Sequence, residues 1–127
     1  MLKTHKELLV WQKSFGFCKE MYAATRAFPE DERFGLTAQL RRASVSVPSN
    51  IAEGYNRATR PDYVRFLWLA NGSVAEIETQ LLLSRELGYG RGAALDNLLE
   101  SLAEIERMLR AMVRALIRSL SAPEVKS

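Results

Sequence analysis

LTAQLRRASVSVPSNIAEGYNR, residues 36–57, carries the pattern on which the fold turns. Leu36, Leu40, Ala43, Val47 and Ile51 recur at steps of four, three, four and four, the spacing of one face of an α-helix. Pro48 falls inside the run, where a proline removes one backbone hydrogen bond and crowds the carbonyl four residues back, at a cost of about 3 kcal/mol. Ser49, Asn50, Glu53 and Arg57 follow it as a polar run. Gly54 falls on the core side, where a missing side chain lets another backbone come close. A helix that keeps its apolar stripe through a proline and adds polar groups beside it breaks local rules. Such breaks tend to mark function or assembly.

The rhythm extends in both directions. Upstream, Thr4 and Glu7 have capping-box spacing, which predicts a first helix starting there and ending at Phe28-Pro29. Leu8, Trp11, Phe15, Cys18 and Tyr22 form its expected seam. Downstream, Thr59 and Asp62 bracket Pro61 at the start of a third helix, with Tyr63, Phe66, Ala70, Val74, Ile77, Leu81 and Ser84 facing inward. Gly88 reads as its C-cap and residues 88–92 as a turn. The fourth helix has the strictest seam: Leu95, Leu98, Leu102, Ile105, Leu109, Met112 and Leu116, fading near Ser121 before Pro123. No segment alternates with period two. The expected fold is all-α, an antiparallel up-down-up-down four-helix bundle, one domain over residues 1–121 with a polar tail at 122–127.

Composition narrows the functional classes. The chain has 127 residues and one cysteine, so no internal disulfide can form. Its N-terminus does not read as a signal peptide, and no apolar run reaches the roughly 20 residues that cross a bilayer. A soluble, cytoplasmic protein without a membrane partner is expected. The net charge is +3, unevenly spread: residues 76–106 sum to −5 and residues 107–127 to +4. Arginine outnumbers lysine thirteen to five, which favours bidentate contact with phosphate or carboxylate.

Two surfaces stand out. Val64, Trp68, Ala75 and Leu82 lie well round from the core stripe of the third helix, and Val10, Phe17, Met21 and Ala24 from the expected seam of the first. Apolar surface on that scale suits a subunit interface, against the plainer reading of scattered surface hydrophobics. On the fourth helix, Arg107, Arg110, Arg114 and Arg118 share an arc of about 80° opposite the leucine seam, and Lys6 and Lys13 occupy the outward side of the first. These six cations are the candidate nucleic-acid contacts, giving salt-dependent binding to phosphates. A solvated charged face that interacts with the helix dipole is the competing reading.

Catalytic chemistry finds little to work with. His5 is the single histidine and Cys18 falls on the expected core seam, so neither a nucleophile with its base nor a metal-ligand cluster is evident. The expectation is no catalytic site, no metal and no cofactor. Ser73, Glu76 and Gln80 flank the third helix on one side, and Ser46, Asn50, Glu53 and Arg57 flank the second. If the flanks face each other, Arg42 can pair with Glu76 or Gln80 and the stripes form a structural network. Otherwise they point away and could contact a ligand.

The residues also carry a resemblance. Trp11-Gln12, Phe28-Pro29, Gly35-Leu36-Thr37 and Gln39-Leu40-Arg41-Arg42-Ala43 belong to it, as do the Ser46–Gly54 stretch, Arg57, Gly72-Ser73, Glu76 and Glu78-Thr79-Gln80-Leu81. Over about residues 7–89 the chain resembles the four-helix-bundle proteins encoded in intervening sequences of 23S ribosomal RNA genes. Those are related to the accessory variability proteins of diversity-generating retroelements. The resemblance implies a non-enzymatic bacterial homopentamer, a barrel basic on its outside, acting on or beside structured RNA. The retroelement relatives bind nucleic acid and a reverse transcriptase, so a structural adaptor for such a protein partner is the alternative it implies.

Overall fold

The computed structural model describes residues 2–121, and the tail expected at 122–127 lies outside them. Four helices carry the chain: α1 (Leu9–Thr25), α2 (Leu36–Tyr55), α3 (Arg60–Glu86) and α4 (Gly92–Ser121), with single 3₁₀ turns at His5–Glu7 and Glu30–Glu32. No strand occurs among the described residues. Each helix packs on the next and α4 closes on α1, so α1 and α3, like α2 and α4, stand diagonally. Side-chain pairings fix the directions. Arg41 meets Thr25 while Cys18 meets Ser44; Gln39 meets Gln80 while Ser46 meets Ser73; Arg85 meets Asp96 while Arg60 meets Ser119. Neighbours therefore run antiparallel, the up-down-up-down order.

The stripes read on α2, α3 and α4 are the core. Leu40, Ala43, Val47 and Ile51 meet Leu67, Ala70, Val74, Ile77 and Leu81, with Leu95, Leu98, Leu102, Ile105, Leu109 and Val113 across from them. Each fully buried leucine or isoleucine contributes about 1.5–3 kcal/mol. The caps follow the sequence: Thr59 accepts from the Asp62 N–H at 3.3 Å, and Gly88 takes the positive φ of 76° that closes α3. Gly35 has no side chain with which to cap α2, so Glu32 substitutes, one carboxylate oxygen accepting from the Leu36 N–H at 2.9 Å. The other accepts from the Tyr89 hydroxyl at 3.0 Å, tying the α3–α4 turn to the start of α2.

Helix α1 is where expectation and structure part. Val10, Phe17 and Met21, expected at a subunit interface, lie in the bundle core at 2%, 3% and 0% exposure. The expected seam is instead the outer side, with Phe15 and Tyr22 exposed and Trp11 half-buried. The reason lies in two hydroxyls. Ser14 and Thr25 sit on the buried stripe, where they read as polar interruptions. Ser14 donates to the Trp11 carbonyl at 3.0 Å and Thr25 to the Met21 carbonyl at 2.8 Å, so both are buried without an unmet hydrogen bond. The helix also starts later than expected. Thr4 caps only the 3₁₀ turn, accepting from the Lys6 N–H at 3.2 Å, and α1 begins at Leu9. Val64 is corrected as well: it is half-buried against the core, leaving Trp68, Ala75 and Leu82 as the exposed members of its group.

Candidate nucleic-acid interface and the polar seam of α2 and α3

Pro48 is accommodated by a neighbouring helix. Without its N–H, the Ser44 carbonyl one turn back loses its helical partner. Cys18 of α1 supplies another, its thiol lying 3.1 Å from that oxygen. Burial pushes the Cys18 thiol up to about 11, so at neutral pH it is a protonated donor. Above the ordinary thiol value of 9.0 the unfolded chain gives up this proton while the folded one keeps it, so stability falls as pH rises from there towards about 11. A double-mutant cycle checks the bond. Cys18→Ala should cost about 1 kcal/mol in the native sequence and measurably less when Pro48→Ala restores the helical donor. Equal costs in both backgrounds would falsify the assignment.

The two polar flanks face each other. Gln80 donates to Gln39 at 3.1 Å and to Glu76 at 3.3 Å, Arg42 reaches Glu76 at 3.5 Å, and the Ser46 and Ser73 hydroxyls meet at 2.6 Å. Asn50 donates to the Ser46 carbonyl at 2.8 Å, within its own helix. Nearer the α2–α3 turn, Arg57 pairs with Glu53 at 3.1 Å and Asp62 at 3.8 Å while lying over the Phe66 ring. Gly54 makes the close approach possible: a Cβ there would stand 2.8 Å from Phe66 Cβ and 3.2 Å from the Tyr63 carbonyl oxygen. The stripe is a cross-helix network. Ser49 stands apart from it, exposed beside Trp11, Phe15 and Pro48 in the α1–α2 groove.

All four α4 arginines are exposed. Their pairing differs along the helix. Arg110 lies 3.9 Å from Glu106, and Lys13 bonds Glu104 at 2.7 Å. That bond, with Arg107 adding to it, holds the Glu104 carboxyl below its ordinary value. Lys13, exposed on the outward side of α1, is thus engaged in an ion pair with α4. Arg114, Arg118 and Lys6 have no carboxylate partner among the described residues. The hydrogen bond of Arg60 to Ser119 draws a further arginine, which sequence reading passed over, to the end of α4. Only distance in the fold could reveal it.

Two groups of exposed apolar residues stand out, with Leu9, Phe34 and Ile117 exposed elsewhere. Trp11 stacks on Phe15 with ring centroids 4.9 Å apart, and Tyr22 and Val45 extend this surface along the α1–α2 edge. Trp68, Leu82 and Leu83 are exposed on the diagonal helix, α3. No group of three or more His, Cys, Asp or Glu that could hold a metal ion occurs among the described residues. None of the described helices is long and apolar enough to cross a membrane.

These features define an all-α four-helix bundle with a polar α2–α3 seam and a cationic C-terminal half of α4. Residues 6–111 match the family described as 23S rRNA-intervening sequence protein, and the chain belongs to that family. Among solved structures it is similar to a protein of unknown function from the S23 ribosomal protein family of Bacteroides thetaiotaomicron VPI-5482. The identity is 23% and the TM-score 0.75, over 83% of this chain and 98% of that one, a likeness of fold. Comparison with curated proteins finds no match.

Proposed function

We propose that the protein is a non-enzymatic homo-oligomer, a ring of five, that binds RNA by contacting phosphates through exposed arginines. The observation that carries the RNA half is the exposure of Arg114 and Arg118 with no carboxylate partner among the described residues, in a family named for an rRNA intervening sequence. Guanidinium groups left unpaired on a surface are suited to phosphate. The assembly half rests on the two apolar surfaces. They lie on different helices and are not copies of each other, so joining one to the other is a heterologous contact, which closes into a ring when the rotation allows. The absence of catalysis is argued from His5, whose ring packs on Trp11 and faces Asn56, and from the neutral thiol of Cys18. The protein is taken to act in the cytoplasm.

A salt titration of binding to structured RNA is the test. Affinity should fall steeply between about 50 and 200 mM salt, and the Arg110→Glu, Arg114→Glu double variant should lose most of it. Binding indifferent to salt, or to this double change, would overturn the reading and favour an adaptor for a protein partner such as a reverse transcriptase.

A further inference from the structure

The bundle is electrically polarised along its length. The half containing the chain's N-terminus, the α2–α3 turn and the end of α4 comprises residues 2–13, 47–73 and 104–119. It holds ten basic and five acidic residues, a net of +5. The other half, residues 14–46 and 74–103, holds seven basic and nine acidic residues, a net of −2. Helix dipoles do not produce this difference. Each end gathers two helix N-termini and two C-termini, whose partial charges oppose each other. Side chains alone set the polarity.

Within the positive half, ion pairing sorts the cations further. Four are occupied, Lys13 by Glu104, Arg110 by Glu106, and Arg57 and Arg65 by Asp62, while Arg107, nearer mid-length, has no carboxylate within ion-pair distance among the described residues. The side chains of Lys3, Lys6, Arg60, Arg114 and Arg118 have no carboxylate partner among the described residues either, although the Lys3 backbone N–H donates to Glu7 at 2.7 Å. Hydrogen bonds gather their segments. The Tyr55 hydroxyl donates to the Leu2 carbonyl at 2.9 Å, which holds the N-terminal turn against the end of α2. Arg60 bonds Ser119, which joins the α2–α3 turn to the last turns of α4. None of the exposed aromatic rings, Phe15, Tyr22, Phe34 and Trp68, belongs to these segments.

We propose that RNA is engaged end-on: this tip of the bundle, rather than the length of α4, seats the phosphate backbone of an RNA duplex, with the opposite tip held away from it. The inference rests on the RNA-binding reading above and adds the place and mode of contact. A duplex is the occupant because phosphates are what unpaired cations recognise, and the tip has no exposed ring on which an unstacked base could lie.

Fluorescence anisotropy with a labelled RNA hairpin of mixed sequence, at several salt concentrations, tests it. Lys3→Gln with Lys6→Gln, and Arg114→Gln with Arg118→Gln, should each weaken binding about tenfold and reduce the salt slope by about two. Arg26→Gln with Arg91→Gln, at the opposite tip, should change affinity by less than about twofold. All are exposed substitutions, and an unchanged melting curve verifies the fold. The proposal is overturned if the opposite-tip pair matches the loss, or if Arg107→Gln with Arg110→Gln carries it while the tip pairs do not. Failure of the native protein to bind the hairpin at low salt would instead remove the RNA-binding reading itself, and this proposal with it.

Discussion

Phe17→Asp is expected to abolish folding, while Phe15→Asp, two residues away on the same helix, leaves the bundle folded. Phe17 is buried among the core residues, so the substitution removes an aromatic side chain and puts a carboxylate in its place. Losing the ring costs about 3–5 kcal/mol, and burying an unpaired charge adds several more, beyond what a domain of this size holds in reserve. Phe15 is 49% exposed and touches Trp11 and Lys19 at the surface. Its replacement should cost no more than about 1 kcal/mol, the worth of an aromatic pair. Circular dichroism and a thermal melt separate the two. If the α1–α2 edge joins subunits, Phe15→Asp should also lower the native mass, as should Trp68→Asp on α3. An unchanged mass in both would remove these surfaces from the assembly.

Gly54→Val is expected to destabilise the bundle by about 3 kcal/mol or more. A helix-interior glycine normally costs about 1 kcal/mol relative to alanine, so replacing one in open space is stabilising. Here the sign reverses. The added Cβ would meet Phe66 Cβ at 2.8 Å, an atom fixed to the α3 backbone, and Tyr63 Cδ1 at 3.0 Å. Neither can swing aside as the tip of a long side chain can, so α3 must move off α2 and carry its polar bonds with it. Gly72→Ala is the control: a Cβ there meets nothing within 4 Å, and the variant should be as stable as the native chain or more so. Denaturant unfolding of the two variants gives the comparison, and equal behaviour would sink the close-approach argument.

What could be read from the chain and what could not divides along physical lines. The stripes of α2, α3 and α4 were legible because large apolar residues recur along them at helical spacing, even though Ser44, Gln80 and Ser84 are buried there too. The caps at Thr59 and Gly88 were legible because they are local. α1 misled because a serine and a threonine that bond their own helix's carbonyls behave as small core residues, while the ring-bearing stripe beside them looks more hydrophobic than it is buried. The facing of the α2 and α3 flanks could be posed only as an alternative, since the seam depends on which way two helices turn. Lys13–Glu104, Arg60–Ser119 and the Cys18 bond to Ser44 join residues far apart in sequence, and nothing in local spacing announces them.

The packing between helices is uneven, and this sets an order of opening. Between α1 and α4 lies a groove of about 360 Å³ lined by Ala23, Ala24, Ala27 and Ala94. The α2–α3 contact, by comparison, is tied by side-chain bonds at several levels and closed at Gly54. Regions with less contact open with less free energy. Amides of α1 should therefore exchange with solvent before those of α2 and α3, which form a hairpin with a connection only a few residues long. The same hairpin is the natural first structure on the way to the fold, since nearby segments meet at the smallest entropic cost. The seam that holds the finished bundle together is also the one the chain can make soonest.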